Sequence, residues 1–369
     1  MKIQYEVNKE KFDIFINKNY NNSLTRKIDS IRSDKKILLV YDKKINKLFV
    51  KKIINSLRET GSLLIALEFK GNKKNKNEKS LFNLLNVMID NNFSKKSIVI
   101  SLGGGVLGDL AALAASLYYR GTIYFNIPST MTSIIDSCIG GKTAINYKNI
   151  INSIGNYYQP HAVFIYNEII KEIPNREFFA GIPEIIKCGI IKKNNILTIL
   201  KKKKNKILQR DFNTISKLCI ETLKAKIFFF KNDVYEKENR LILNFGHTFA
   251  HAIEMATENM LNKEYLRHGE AVGLGILCEL YYANGKESPI QKKVQNILKD
   301  YNLPTQIIEK NLKINKQKLN NYIYKYLFLD KKKISRHPRY IFLKKIHKPS
   351  LRELSDENLI LQTINKFIG

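Results

Sequence analysis

Residues 97–109 read SIVISLGGGVLGD, an apolar run that leads into a glycine-rich turn and then into further apolar residues. Ser97–Leu102 has the composition of a β-strand, and the glycines after it match the spacing G-x-G-x-x-G. Glycines let a backbone approach a pyrophosphate closely, and the N–H groups at the start of the next helix bind it. The stretch therefore predicts a strand, a nucleotide-binding turn and a helix; a tight structural turn is the alternative.

Two acidic residues are candidates for roles around this turn. Asp109 follows the glycines directly and is interpreted as the N-cap of the helix. The usual dinucleotide fingerprint has an acidic residue about 20 positions further on that binds the ribose, and this chain lacks it. Asp42, at the end of an earlier strand-like run, is the better candidate for that role.

The pattern on either side of the turn predicts two domains. Strand-like runs alternate with helical periods in the first half, which favours a mostly parallel sheet. The predicted strands are Lys36–Tyr41, Ser62–Phe69, Ser97–Leu102, Gly121–Ile127 and Ala162–Tyr166, with a helix over Lys79–Asn91. Later segments read as helices, namely Phe178–Lys193, Phe212–Lys231, His247–Asn259 and Glu270–Ala283, with strand-like runs at Leu241–Leu243 and Arg339–Leu343. We expect an α/β, Rossmann-like domain over residues 1–175 and a mainly α-helical domain over 176–369.

Composition limits the choice of partners. The 369-residue chain has a net charge of +30 and is rich in lysine, asparagine and isoleucine, so we interpret the charge as compositional bias that also attracts anionic substrates, and expect no nucleic-acid partner. No segment approaches the roughly 18 consecutive apolar residues of a membrane span. Residues 1–10 lack the apolar core of a signal peptide. We therefore expect a cytoplasmic protein without a membrane partner, whose four cysteines are reduced.

A second small, polar cluster spans residues 136–143, DSCIGGKT. Its glycines free backbone amides, and Lys142 is suited to hold a phosphate or a carboxylate. The spacing is not that of a Walker A loop, and a plain turn is the alternative.

Three of the six histidines fall in two short segments. His247 and His251 lie four residues apart on one predicted helix face, His268 begins the sequence HGEAV, and Glu184 lies in an early helical turn. Two histidines and a carboxylate bind a metal such as zinc and leave a coordination position open for substrate. For a metal site, the spacing leaves two sets: His247 with His251 as ligands, or His247 with His268 while His251 faces the substrate. Histidines that cap helices or pack in the core are the alternative to a metal site.

Taken together, these blocks resemble the 3-dehydroquinate synthase family. The matching segments are residues 103–109 (GGGVLGD), 119–121 (YRG), 136–142 (DSCIGGK), 181–189 (GIPEIIKCG), 243–249 (LNFGHTF) and 268–272 (HGEAV). The resemblance implies an NAD-binding domain followed by a helical domain, a homodimer, and conversion of 3-deoxy-D-arabino-heptulosonate 7-phosphate, an anionic phosphorylated sugar acid, to 3-dehydroquinate and phosphate in the shikimate pathway.

The resemblance also implies residue roles. It selects Glu184, His247 and His268 as ligands of Zn²⁺, with Co²⁺ as an alternative ion. The implied NAD-binding residues are Lys79, Gly105, Val106, Leu107, Gly108, Asp109, Ser129, Thr130, Lys142, Ile151, Ile169, Ile170, Lys171 and Glu172, besides Asp42. The implied substrate-contacting residues are Arg120, Asp136, Lys142, Asn152, Lys187, Lys224, Arg240, Asn244 and His251, and a lysine of the block 330–332 also reaches the site.

The chain departs from the family pattern at the cofactor positions. Residues 74–79 retain only the final lysine of an Asp-Gly-Glu-x-x-Lys stretch, and Ile151 replaces a cofactor-binding lysine. Three other functions are alternatives: a related cyclase acting on another phosphorylated sugar, a metal-dependent polyol dehydrogenase, and a basic nucleic-acid-binding protein. Asn152, Lys224 and Arg240 favour the dehydroquinate reaction.

Overall fold

The computed structural model describes residues 1–31, 33–148, 150–307, 315–329 and 337–368. The chain forms two compact units: residues 1–173 with 230–235, and residues 174–229 with 236–369. No sequence pattern indicated that the short segment 230–235 joins the first unit.

The first unit contains a seven-stranded sheet in the order β1-β2-β9-β6-β5-β3-β4, with only β1 antiparallel to its neighbour. Its strands are β1 Lys2–Val7, β2 Glu10–Asn17, β3 Lys36–Asp42, β4 Leu63–Phe69, β5 Ile98–Gly103, β6 Ile123–Pro128 and β9 Ala162–Tyr166. A separate antiparallel hairpin is formed by β7 Lys142–Tyr147 and β8 Ile150–Tyr157. The helices of this unit are α1 Ser23–Asp29, α2 Lys47–Glu59, α3 Glu78–Asp90, α4 Gly105–Leu117 and α5 Asn167–Glu172.

Helices cover both faces of this sheet, which explains its continuous apolar strands. Ile37 and Leu39 of β3 pack with α1 and α2, whereas Leu38 and Val40 pack with α3 and α4. Alternate residues of a strand point to opposite faces, so a strand buried on both faces is apolar throughout.

The second unit is mainly helical. Its helices are α6 Asn175–Phe179, α7 Ile182–Ile191, α8 Ile196–Lys202, α9 Lys204–Leu208, α10 Phe212–Phe230, α11 His247–Leu261, α12 His268–Asn284, α13 Pro289–Asp300, α14 Lys316–Phe328 and α15 Glu357–Phe367. A short hairpin joins β10 Arg339–Phe342 to β11 Ser350–Glu353. Residues 269–280 of α12 are all buried, so α12 is the central helix of this unit, packed against α7, α11 and α13.

The predicted fold class is confirmed: a parallel α/β domain is followed in the chain by a helical domain. Within the described residues, no helix combines the length and the apolar character needed to cross a membrane.

Three local predictions were wrong. Leu241–Leu243 lies in a 3₁₀ helix, Asn239–Asn244, rather than in a strand. The helix predicted over Phe178–Lys193 is two helices, because Pro183 lacks an N–H group and favours the first turn of a new helix, α7. Asp109 is not the N-cap of α4; Gly104 takes that position, and Asp109 lies in the second turn.

Candidate active site

Three residues that are distant in the sequence converge in the second unit. Glu184 lies in the first turn of α7, and His247 and His268 are the first residues of α11 and α12. Oε1 of Glu184 is 3.4 Å from Nε2 of His247 and 3.6 Å from Nε2 of His268. One carboxylate oxygen therefore faces two imidazole nitrogens.

Two glycines make this convergence sterically feasible. Gly246, which precedes His247, has φ +83°, and a Cβ there would lie 2.6 Å from Cγ1 of Ile276 on α12. A Cβ on Gly269 would overlap the carbonyl oxygen of Ala180, just before α7. Since only glycine avoids both overlaps, α12 can pack close to the starts of α7 and α11.

Hydrogen bonds on the far nitrogens orient both imidazoles. Nδ1 of His247 lies 3.2 Å from the carbonyl oxygen of Phe245, and Nδ1 of His268 lies 3.0 Å from Oε2 of Glu254. A histidine that donates Nδ1–H to a carbonyl or carboxylate presents its Nε2 lone pair on the other side, as metal-ligating histidines do. Both Nε2 atoms accordingly face Glu184.

The charges around Glu184 favour its ionised form. Glu184 is 1% exposed; burial opposes ionisation, but the ammonium of Lys187, 2.5 Å away, and His247 hold the pKa of Glu184 well below its ordinary value. Burial and the nearby Lys187 lower the pKa of His247, which keeps that imidazole neutral at pH 7. The carboxylate and this imidazole are thus in the protonation states that metal ligands need.

His268 has the opposite tendency. Burial disfavours its charged form, but the carboxylates of Glu184 and Glu254 outweigh burial and raise the pKa of His268 to about 10. A metal ion that binds Nε2 of His268 therefore has to displace the proton on that nitrogen.

Two groupings of these side chains could hold a metal ion. The first is Glu184, His247 and His268, and the second is His251, Glu254 and His268; within each, the ligand atoms lie within 4.8 Å of one another. Neither contains both His247 and His251. The imidazole of His251 is nonetheless near, with ring centroids 5.5 Å from His247 and 6.0 Å from His268.

The other residues predicted for substrate in this unit differ in exposure. Lys187 and Arg240 are each 2% exposed, whereas Lys224 is exposed. Asn244 donates a hydrogen bond of 2.9 Å from Nδ2 to Oε1 of Glu236, a residue that no sequence pattern indicated. The block 330–332, predicted to supply a lysine, lies outside the described residues.

In the first unit, the glycine-rich turn forms the start of α4. Gly104 is the N-cap and has no side chain with which to cap the helix, so the first amides of α4 depend on other acceptors. The N–H of Ser129 donates to the carbonyl oxygen of Gly103 at 2.9 Å, and a Cβ on Gly104 would lie 3.0 Å from Cγ2 of Thr130. Gly103 and Gly104 of the turn are therefore next to the predicted residues Ser129 and Thr130. The other predicted residues here are the first five of α4, namely Gly105, Val106, Leu107, Gly108 and Asp109.

The remaining predicted residues of this unit lie in strands of the sheet, in the β7–β8 hairpin, and in helices or turns near them. Asp42 ends β3 and is 8% exposed, Lys142 begins β7, and Ile151 lies in β8 with 64% exposure. The stretch after β9, Ile169, Ile170, Lys171 and Glu172, lies in α5, with Lys79 exposed near the start of α3. Arg120 follows α4 with φ +62°, Asp136 lies in a π-helical turn, and Asn152 lies in β8.

One further residue belongs with this group and was missed from the sequence. Lys76 is buried, and its Nζ is 2.5 Å from both Oδ2 of Asp109 and Oδ1 of Asn152. Lys76 lies in the stretch 74–79 that departs from the family pattern, but the surrounding sequence is rich in lysine, and no local pattern distinguishes this lysine from its neighbours.

The first unit is a parallel α/β unit with a glycine-rich helix start, and the second is a helical unit in which a carboxylate and two imidazoles converge. Together they define an architecture of two units with a candidate metal site. The 3-dehydroquinate synthase N-terminal model matches residues 66–180, and the 3-dehydroquinate synthase C-terminal model matches residues 181–333. The chain belongs to the 3-dehydroquinate synthase family, as its sequence motifs predicted.

A curated relative agrees with this assignment, and two solved structures share the fold. The chain is 33% identical over 343 residues to a 3-dehydroquinate synthase of Clostridium tetani, covering 92% of this chain and 87% of the relative. Its fold is similar to that of 2-deoxy-scyllo-inosose synthase complexed with carbaglucose-6-phosphate, NAD⁺ and Co²⁺, with TM-score 0.84, 23% identity and full coverage of both chains. It is also similar to 2-epi-5-epi-valiolone synthase from Streptomyces hygroscopicus with NAD⁺ and Zn²⁺ bound, with TM-score 0.82, 19% identity and 98% coverage of each chain.

Proposed function

We propose that this protein is a 3-dehydroquinate synthase, a phosphorus–oxygen lyase that converts 3-deoxy-D-arabino-heptulosonate 7-phosphate to 3-dehydroquinate and phosphate. The observation that carries the proposal is the convergence of Nε2 of His247 and of His268 on Oε1 of Glu184 in a chain of this family. The identity to named 3-dehydroquinate synthases, over most of both chains, favours this substrate over other phosphorylated sugars.

The donor set fits a divalent metal such as Zn²⁺ or Co²⁺. Glu184, His247 and His268 would hold the ion through one oxygen and two nitrogens, a combination that catalytic zinc sites use while leaving a position open. Phe245 and Glu254 would keep the two imidazoles in the required tautomers.

The start of α4 fits the pyrophosphate of NAD. A helix N-terminus without a side-chain cap offers backbone N–H groups to an anion, and the helix dipole adds to the attraction. Asp42, at the carboxyl end of β3, supports a ribose contact, since ligands of open parallel sheets bind outside the carboxyl ends of the strands.

When bound, the metal supplies Lewis-acid polarisation of substrate hydroxyls, and NAD⁺ supplies a hydride acceptor that is regenerated within the same turnover. The protein's own residues bind the substrate anions and control its protons. Arg240 and Lys187 are buried cations suited to a carboxylate or a phosphate. His251, exposed beside His247, is suited to hold or release a proton at a substrate hydroxyl.

The test is an assay of the purified protein with the proposed substrate, NAD⁺ and Zn²⁺. We expect stoichiometric phosphate and 3-dehydroquinate, no lasting NADH, and loss of both products in the presence of a chelator. Glu184→Gln should lower turnover by at least about 10³-fold, because it removes a metal ligand. Glu353→Gln, an exposed glutamate of β11, is the matched control and should retain wild-type turnover.

Parallel assays distinguish the alternative functions. Turnover of sedoheptulose 7-phosphate or glucose 6-phosphate, with none of the proposed substrate, would assign the protein to another cyclase reaction. Net accumulation of NADH from a polyol would instead assign it to the dehydrogenases.

The proposal includes a homodimer in the cytoplasm, on the basis of the family resemblance. Light scattering coupled to size-exclusion chromatography tests the assembly, and a mass of one chain, 42.8 kDa, would exclude the dimer.

A further inference from the structure

Lys76 differs from the other lysines of its segment. Residues 70–79 contain five lysines, and Lys76 is 7% exposed while Lys70, Lys73, Lys74 and Lys79 are exposed. An ammonium group is rarely buried unless it is paired, because its charge loses hydration. The burial of Lys76 therefore calls for a specific set of partners.

Its partners come from two other parts of the first unit. Nζ of Lys76 is 2.5 Å from Oδ2 of Asp109, in the second turn of α4, and 2.5 Å from Oδ1 of Asn152, in β8. The side chains of Lys76 and Asp109 are 9% and 21% exposed. A charge-assisted pair that is shielded from water in this way holds both partners firmly.

The backbone around Lys76 is itself held in place. Lys76 lies between a 3₁₀ turn capped by Asn72 and the helix α3 capped by Asn77. Its carbonyl oxygen accepts a hydrogen bond of 2.8 Å from the N–H of Asn146 in β7, and Oδ1 of Asn146 accepts from the N–H of Asn152 at 3.0 Å. The loop before α3 thus connects α4 to the β7–β8 hairpin.

The charge of Asp109 makes this connection relevant to ligand binding. Asp109 is four residues after Gly105 and so lies on the same face of α4, one turn from the amides that would bind a pyrophosphate. An unneutralised carboxylate there would repel phosphate groups. On the hairpin, the residue beside Asn152 is the uncharged and exposed Ile151, at the position where the family resemblance implies a lysine.

We propose that Lys76 is a positioning residue for the cofactor, which neutralises Asp109 and fixes Asp109 and Asn152 in one arrangement so that the phosphates of NAD can bind at the start of α4. The inference rests on the proposed function, because it concerns the same cofactor. On this proposal, Lys76 in the loop before α3 supplies a positive charge near the cofactor, whereas Ile151 stands where the family resemblance implies a lysine.

The experiment measures the dissociation constant of NAD⁺ by calorimetry in three variants. Lys76→Gln retains hydrogen bonding but loses the charge, and it should weaken binding by about tenfold or more. Lys76→Arg retains the charge and should recover most of that loss. Lys70→Gln removes an exposed lysine of the same segment, outside the stretch 74–79, and should bind NAD⁺ within about twofold of wild type.

A double-mutant cycle with Asp109→Asn separates positioning of the charge from a general effect on folding. If Lys76 acts by neutralising Asp109, Lys76→Gln should weaken NAD⁺ binding at least about threefold less in the Asp109→Asn background. Hydrogen exchange of the β7–β8 hairpin, measured without NAD, should be faster in Lys76→Gln than in Lys70→Gln, because the hairpin loses a contact with residue 76.

The outcomes are distinguishable. If the wild-type protein binds NAD⁺ and releases phosphate while Lys76→Gln binds NAD⁺ equally well, the inference on Lys76 is overturned and the proposed function stands. An equal effect of Lys76→Gln in both Asp109 backgrounds, or a lowered melting temperature with unchanged NAD⁺ binding, also overturns it. A wild-type protein that binds no NAD⁺ overturns the proposed function and this inference with it.

Discussion

Nδ1 of His268 lies 3.0 Å from Oε2 of Glu254, while Nε2 of the same ring lies 3.6 Å from Oε1 of Glu184. The imidazole is therefore held between two carboxylates, one from α11 and one from α7. Glu254 orients the ring and stabilises its proton, whereas Glu184 occupies the side on which a metal ion would bind. The protonation of His268 should therefore be coupled to metal binding at the candidate site.

Replacement of Glu254 should weaken metal binding without removing a ligand. Glu254→Gln deprives Nδ1 of His268 of a charged acceptor, so we expect the affinity for Zn²⁺ to fall by about 10- to 100-fold. Competition with a chromogenic chelator measures the affinity, with Glu353→Gln as control. Wild-type affinity in Glu254→Gln would show that the carboxylate does not support the ligand.

Metal binding should release a proton and should strengthen as the pH rises. The pKa of His268 is raised to about 10 whereas that of His247 is lowered, so at pH 7.5 in the metal-free protein His268 is a cation protonated on both ring nitrogens, and His247 is neutral. We expect release of about one proton per ion and an affinity that rises about tenfold per pH unit between pH 6.5 and 8.5. Calorimetry in buffers of different ionisation enthalpy measures the released protons; release of none contradicts the prediction.

The stability of the metal-free protein should fall as the pH rises, because His268 loses its proton, whereas the metal affinity rises. The pKa of His268 is higher in the folded protein, at about 10, than its ordinary value of 6.5. Its stabilising contribution is therefore fully present below pH 6.5 and is lost as the pH rises through about 10. His268→Asn should flatten this part of the stability profile in urea unfolding measured with a chelator present.

Glu279 should produce a second pH dependence at lower pH. This carboxyl group lies in α12 and is fully buried. Burial raises its pKa to about 8, although hydrogen bonds from the N–H groups of Gly246, Ile341 and Thr248 favour its ionised form. The folded protein holds this proton more tightly, so the stability it confers is present below pH 4.5 and is lost as the pH rises through about 8.

The matching variant is Glu279→Gln, which retains the shape but does not ionise. Between pH 5 and pH 8 the free energy of unfolding should fall less in Glu279→Gln than in the wild type, by a difference on the order of a few kcal/mol. Urea unfolding of metal-free protein at the two pH values measures it. Parallel profiles for the two proteins would mean that Glu279 titrates normally.

A methyl group at Gly269 should disturb the site by steric overlap. In Gly269→Ala the Cβ would overlap the carbonyl oxygen of Ala180, so α12 must move away from α7, at a cost of about 1–3 kcal/mol and with weaker metal binding. Gly273→Ala, one turn later in α12, is the milder comparison, because its Cβ would lie 3.2 Å from Cδ2 of Leu298 and 3.3 Å from Cγ of Pro183, contacts that a shift of a few tenths of an ångström relieves. Equal stability and zinc affinity in the two variants would contradict the role given to Gly269.

The sequence predicted the elements best where the signal is local. The apolar run Lys36–Tyr41 and the helix at Phe212–Lys231 were predicted nearly to the residue, because burial on both faces and helical periodicity leave clear patterns. The β7–β8 hairpin was missed, since most of its side chains are exposed and β8 lacks an alternation of buried and exposed residues. Asp109 was misassigned because three adjacent glycines leave the start of the helix undetermined by local sequence alone.

By itself, the sequence determined the family and the order of the α/β and helical domains, and it predicted the candidate site residues, because motifs and hydrophobic periodicity are properties of neighbouring residues. The spacing of the histidines left His251 and His268 as alternatives, and the family resemblance selected His268. Only the tertiary structure gives the distances at which His247 and His268 face Glu184, and the pairing of Lys76 with Asp109 and Asn152. These pairs join residues far apart in the chain, and the distance between them is set by how closely helices and loops pack, which the glycines at 246 and 269 permit for the histidine cluster. A local sequence pattern does not predict these distances.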